Sequence, residues 1–191
     1  MTMTDNKNIL HELNTPPEVL APAGDTESFY AAINAGADAV YLGLSDFNAR
    51  IKAENFTKEN IGEIVKYAHV YGVKVYVTVN ILISDSEKDE FISVIKACTD
   101  ASVDAFIIQD LGMAVLIKSL FPAAVLHAST QAGVSNLEGA KVFETLGFTR
   151  GVLARETTFE DIKAIKENTN LELEYFVQGA LCVSYSGNCY M

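Results

Sequence analysis

From Glu18 onward the chain alternates short apolar and β-branched runs with amphipathic helical stretches, and this rhythm restricts the fold more than any other feature. The runs "EVLAPAG", "DAVYLG", "KVYVTVN", "DAFIIQD", "AVLHAST", "RGVLAR" and "LELEYFVQG" read as strands. Most are continuous in Val, Ile, Leu, Ala and Tyr, as parallel strands covered on both faces require. Between them stand "TESFYAAINAGA", "TKENIGEIVKYAHVYG", "SDSEKDEFISVIKACTDAS", "LGMAVLIKSLFP", "NLEGAKVFETLG" and "TFEDIKAIKENTN". These stretches carry helix starts at Thr26, Thr57, Ser84, Asn136 and Thr158, and glycine stops at Gly36, Gly72 and Gly147. In the third stretch Phe91, Val94, Ile95 and Cys98 fall on one stripe, so Cys98 is expected to be a buried, small apolar residue. His69 reads as a surface residue of the second helix.

Such alternation builds either a (β/α)8 barrel or an open doubly wound sheet. The first glycine turn, "APAGDTES", lacks the G-x-G-x-x-G pattern of a dinucleotide site, and no G-x-x-x-x-G-K-[ST] phosphate loop occurs. Polar residues instead recur at the strand ends: Asp25, Asn80, Gln109, Asp110, His127 to Gln131, Arg155, Glu156 and Gln178. In a barrel those carboxyl ends ring one mouth, where such enzymes keep their chemistry. The sequence therefore predicts an α/β fold, a TIM-like (β/α)8 barrel that is incomplete. A full barrel takes about 250 residues, and seven strands are visible here. The expected organisation is a flexible lead-in over 1–17, which holds His11, and a barrel domain over 18–191, truncated before a C-terminal continuation.

With 49% hydrophobic and 20% charged residues in 191, the chain is globular rather than disordered. No apolar run approaches the roughly 18 residues of a membrane span, and the polar start has no signal-peptide core. A cytoplasmic location is expected. The net charge of −11 argues against a broad basic surface for nucleic acid on this part of the molecule. Three cysteines are too few for a disulfide scaffold.

The candidate catalytic residues are Asn80, Asp110, His127, Arg155 and Glu156, with Gln109, Ser129, Thr130 and Gln131 beside them. Several polar groups converging on one concave site mark a binding pocket. The competing reading is that they cap helices and satisfy one another. Alternation along the fifth strand sends His127, Ser129 and Gln131 to one side. His127 is the one histidine placed for acid–base work, since imidazole titrates near neutral pH. Peptidase patterns are missing: "HELNT" lacks the second histidine of H-E-x-x-H, and no G-x-S-x-G elbow occurs. Ser184 and Ser186 have no base visible in the sequence, and a Cys182–His127 pair would form a thiol nucleophile only if the fold joins them. Cys182 and Cys189 follow the seventh strand directly, which puts them over the mouth of a barrel. Two thiolates do not complete a four-ligand zinc or iron–sulfur site, so further ligands would come from more sequence or another chain.

The terminal stretch "EYFVQGALCVSYSGNCYM" resembles the signature of the collagenase-like peptidase family U32, in Glu174, Phe176, Gly179, Ala180, Leu181, Cys182, Gly187 and Cys189. The blocks "GADAVYLG", "KVYVTVN", "QDLG", "LHASTQ" and "LARE" are similar to that family too, so the likeness covers roughly Glu18 to Met191. Gln178 departs from it, standing where the pattern has His, and removes an imidazole from beside the cysteines. The resemblance implies a protein named for peptidase activity without a settled catalytic type, or an oxygen-independent hydroxylase of a tRNA or rRNA pyrimidine. It implies that Cys182 and Cys189 are cofactor ligands, two of the ligands of an iron–sulfur cluster in the full-length protein. Prephenate is the candidate oxygen donor. The implied partners are tRNA or rRNA, or a protein or peptide substrate, with no membrane and a homo-oligomer as an option. Three functions stay open at this point: an iron–sulfur-dependent RNA hydroxylase, a peptidase, and a non-catalytic subunit of a hydroxylating complex.

Overall fold

The computed structural model describes residues 16–49, 56–179 and 184–188. Seven strands form one parallel sheet in sequence order: β1 (Leu20–Ala23), β2 (Ala39–Gly43), β3 (Lys74–Val79), β4 (Ala105–Ile108), β5 (Leu126–Ala128), β6 (Arg150–Val152) and β7 (Glu172–Glu174). Among the described residues six α-helices cross between them: α1 (Thr26–Asn34), α2 (Ile61–Val70), α3 (Lys88–Asp100), α4 (Leu111–Leu120), α5 (Leu137–Thr145) and α6 (Phe159–Asn168). The result is an incomplete TIM-like barrel, open between β1 and β7.

The outer layer carries the stability. Val75, Val77 and Val79 of β3, with Val40, Leu42, Phe106, Ile108 and Leu126 on the neighbouring strands, are almost fully buried against the helices. The helices answer with Phe29 and Ile33, with Ile64, Val65 and Ala68, and with Phe91, Val94, Ile95 and Cys98. Each large side chain buried this way contributes about 1.5–3 kcal/mol. The stripe expected on the third helix is therefore present, with Cys98 at 0% exposure and its thiol pushed up to about 12 by burial.

Local signals set the boundaries. Asp25 caps α1 in a reciprocal box with Ser28, one residue before the expected Thr26. Asn136 and Thr158 cap α5 and α6 through their side chains, as expected. Gly36, Gly72 and Gly147 all take positive φ just past helix ends, where a Cβ is disfavoured. Thr57 does not start α2; it begins a turn that reaches the helix four residues later, at Ile61.

The inner face is different in kind. Strand alternation turns Lys74, Tyr76 and Thr78 inward, opposite the three valines. Register places Tyr41 beside Tyr76 beside Ala105, and Ile107 beside His127 beside Arg150 beside Glu172. Only a small apolar group of Ala39, Tyr76, Ala105 and Ile107 forms there, flanked by Leu20 and Tyr41. Much of the rest of that face is polar or charged, from Lys74, Thr78, His127, Arg150, Glu172 and Glu174.

Candidate active site

At the amino pole of the barrel an ion network crosses the opening between β1 and β7. Arg150 is 8% exposed and donates from Nη1 to Glu18 (2.7 Å), and from Nε and Nη2 to Glu172 (2.9 and 2.6 Å). Glu18 also accepts from Lys74 Nζ at 2.7 Å and from the Tyr76 hydroxyl at 2.8 Å. Burial alone would raise the Glu18 carboxyl, but the bonds from Arg150, Lys74 and Tyr76 outweigh it and bring it down to about 2. Glu174 stands 3.6 Å from Arg150, too far for a hydrogen bond, and burial pushes its carboxyl upward.

His127 belongs to this interior, not to the rim where its sequence position suggested. It lies within β5 at 3% exposure, its ring edge-on to Tyr76 with centroids 4.8 Å apart. Its Nδ1 has no hydrogen-bond partner among the described residues. Burial, helped by the Arg150 charge, lowers it to about 3, so the imidazole is neutral at physiological pH. The alternation expected through Gln131 stops at Ser129, because Thr130–Ala132 turn into a 3-10 helix capped by the Ser129 hydroxyl.

At the carboxyl pole the other candidates serve the backbone. Asp110 uses both oxygens: Oδ1 accepts from Met113 N–H at the start of α4, and Oδ2 accepts from Ile83 N–H at 3.1 Å. Asn80 accepts from Ala49 N–H at 3.1 Å. Gln109 is partly buried past the end of β4. The Gln131 Oε1 is buried without a hydrogen-bond partner among the described residues.

Arg155 and Glu156 come together on the segment 184–188, which they hold against the ends of β5 and β6. Arg155 Nη2 donates to the Ser184 carbonyl at 2.7 Å, and Arg155 N–H donates to Ser186 Oγ at 3.1 Å. Glu156 Oε1 accepts from Ser186 N–H at 2.8 Å. Gly187, at φ +80°, packs so closely that an added Cβ would stand 2.5 Å from the Gln131 carbonyl oxygen. Tyr175 completes the corner by donating to the Arg155 carbonyl at 3.3 Å.

Cys182 and Cys189, the two proposed ligands, lie outside the described residues and flank this segment in sequence. Among the described residues no group of three or more His, Cys, Asp or Glu is arranged to hold a metal. Nor, among those residues, is any serine or cysteine hydrogen-bonded to a histidine; His69 pairs with Asp104 at the other pole. Sequence reading missed the roles of Glu18, Tyr76, Arg150, Glu172 and Glu174. The signal for two sets was present: alternation in "KVYVTV" and "LELE" puts Lys74, Tyr76, Glu172 and Glu174 on one face.

Comparison with known proteins agrees with this architecture. A solved U32 peptidase structure superposes with a TM-score of 0.70 at 16% identity, covering 85% of this chain and 69% of that one. A 23S rRNA 5-hydroxycytidine synthase of Escherichia coli is 44% identical over 174 residues, 91% of this chain and 26% of that protein. The tRNA hydroxylation protein P1 of Bacillus subtilis is 38% identical over 188 residues, 98% of this chain and 44% of that protein. The chain thus spans less than half the length of either relative. The pattern of Peptidase family U32 matches residues 24–191, nearly the whole barrel and the terminal signature, and the chain belongs to that family.

Proposed function

We propose that this chain is the barrel domain of an enzyme that hydroxylates a pyrimidine in tRNA or rRNA. The observation that carries the reading is identity of 44% and 38%, over nearly all of this chain, to two proteins named for those reactions. The geometry is compatible with it. At the rim of the barrel Gln131 and Arg155 meet a tethered segment flanked in sequence by two cysteines, and Asn80 and Gln109 stand at the ends of β3 and β4. A neutral His127 can donate or accept a hydrogen bond but brings no cation to the interior. The charge of −11 means that phosphate contacts come mainly from outside this domain.

An iron–sulfur cluster, with prephenate as the oxygen donor, belongs to this proposal only for the whole protein. Such clusters are held by four cysteine thiolates. This chain has three cysteines, and Cys98 is sealed in the outer layer. A four-thiolate cluster does not fit the ligands of one such chain, and no step of the reaction is assigned to it. A cytoplasmic location follows from an RNA substrate; no described helix is long and apolar enough to cross a membrane.

The family's peptidase name supports a second reading. Against it stands the lack, among the described residues, of a serine, threonine or cysteine hydrogen-bonded to a histidine. Nucleoside mass spectrometry of tRNA and rRNA from a deletion strain separates the two. Loss of one hydroxylated pyrimidine is the expected result; an unchanged set in both RNAs removes the hydroxylase reading.

A further inference from the structure

We propose that Arg155, Glu156 and Gly187 form a latch that clamps segment 184–188 to the barrel rim, making Arg155 and Glu156 positioning residues for Cys182 and Cys189. The purpose of the latch rests on the hydroxylase reading, but its existence does not. Three contacts from two consecutive residues converge on two residues of the segment, Ser184 and Ser186. Arg155 reaches the Ser184 carbonyl and the Ser186 hydroxyl, and Glu156 receives the Ser186 N–H. Gly187 then closes onto the Gln131 carbonyl in a space that no side chain can enter. Ser186 is only 8% exposed although its neighbours Tyr185 and Gly187 are open to solvent, so the segment is anchored at one buried point.

The Glu156 carboxylate is spent on the latch. Partial burial would raise its pKa, yet hydrogen bonds from its own N–H and from Ser186 lower it instead. A general acid needs the opposite shift. The Arg155 guanidinium likewise points at a carbonyl of its own chain. The strand-end motif "LARE" therefore anchors the cysteine-flanked segment at Ser184 and Ser186.

The test uses full-length protein in wild-type, Glu156→Ala and Glu156→Gln forms. It reads amide hydrogen exchange over 184–188 and alkylation of each cysteine by peptide mass spectrometry. Glu156→Ala is expected to speed exchange at Ser186 by about tenfold, the effect of losing one charge-assisted hydrogen bond. It should also raise alkylation of Cys182 and Cys189, while buried Cys98 and the melting temperature stay as in wild type. Glu156→Gln keeps an acceptor oxygen and should remain close to wild type in every readout, including RNA hydroxylation. Wild-type exchange and alkylation in Glu156→Ala would overturn the latch. So would a Glu156→Gln protein with normal exchange but no hydroxylation, which would make the carboxylate catalytic. Neither exchange nor alkylation involves RNA, so a failed nucleoside assay leaves this result standing.

Discussion

A single imidazole shows how far a residue can be understood before its neighbours are known. "LHASTQ" places a histidine near a strand end, and chemistry then favours an acid–base role. What the linear order hides is the rest of the sheet: Tyr76 packs against the ring and Arg150 pairs beside it in register, from positions 51 and 23 residues away. Burial there lowers the His127 pKa from 6.5 to about 3. The unfolded chain therefore binds a proton below pH 6.5 that the folded chain refuses until about pH 3. Stability linked to this group is complete above that window and is lost as pH falls through it, by at most roughly 5 kcal/mol. Lowered Glu18 adds a loss of the same sign, from its ordinary 4.5 down to about 2. His127→Leu removes the first contribution and an unpartnered buried nitrogen together. Denaturant melts between pH 7 and 4 should show a flatter pH profile for His127→Leu, with equal or greater stability at pH 5. A slope matching wild type would mean the ring is protonated in the folded state.

At the scale of elements, most of the scaffold was legible because its signals are local. The third-helix stripe, the caps at Asn136 and Thr158 and the three glycine stops each need fewer than ten residues of context. Short-range reading left two roles open where one side chain joins two elements. Asp110 looked like a rim carboxylate, but it caps α4 with one oxygen and holds the loop at Ile83 with the other. Its value is therefore structural in two places. Asp110→Ala should cost about 1–3 kcal/mol, a lost cap plus a second backbone donor left unpaired. Asp110→Asn keeps an acceptor for the cap and should recover about half of that loss. Chemical denaturation of the three proteins measures both steps, and an Asp110→Ala protein as stable as wild type would refute the bridging role. Ser102 marks another limit: it ends the third helix at φ +63°, a place where sequence rules look for glycine.

For the whole molecule, the strand–helix rhythm dictated the barrel, and its opening is where long-range physics takes over. β1 and β7 do not pair, and the amino pole is joined instead by Arg150 bound to Glu18 on one side and Glu172 on the other. Those partners are 132 and 22 residues from Arg150, so no local pattern could announce the bridge. The carboxyl pole is organised by the latch, which brings segment 184–188 back to the ends of strands β5 and β6. Two thiols flank that segment, and the third is locked behind α3 at 0% exposure. Because a cluster of four iron atoms takes four thiolates, ligand count limits what one copy can hold, however well the latch positions its pair. The 191-residue chain, purified and reconstituted anaerobically with iron and sulfide, is expected to retain no stable cluster after desalting. Iron and acid-labile sulfide assays with the visible spectrum read the outcome. One full cluster retained per monomer would show that this chain's own residues complete the ligand set, and the division of ligands argued from its three cysteines would fall.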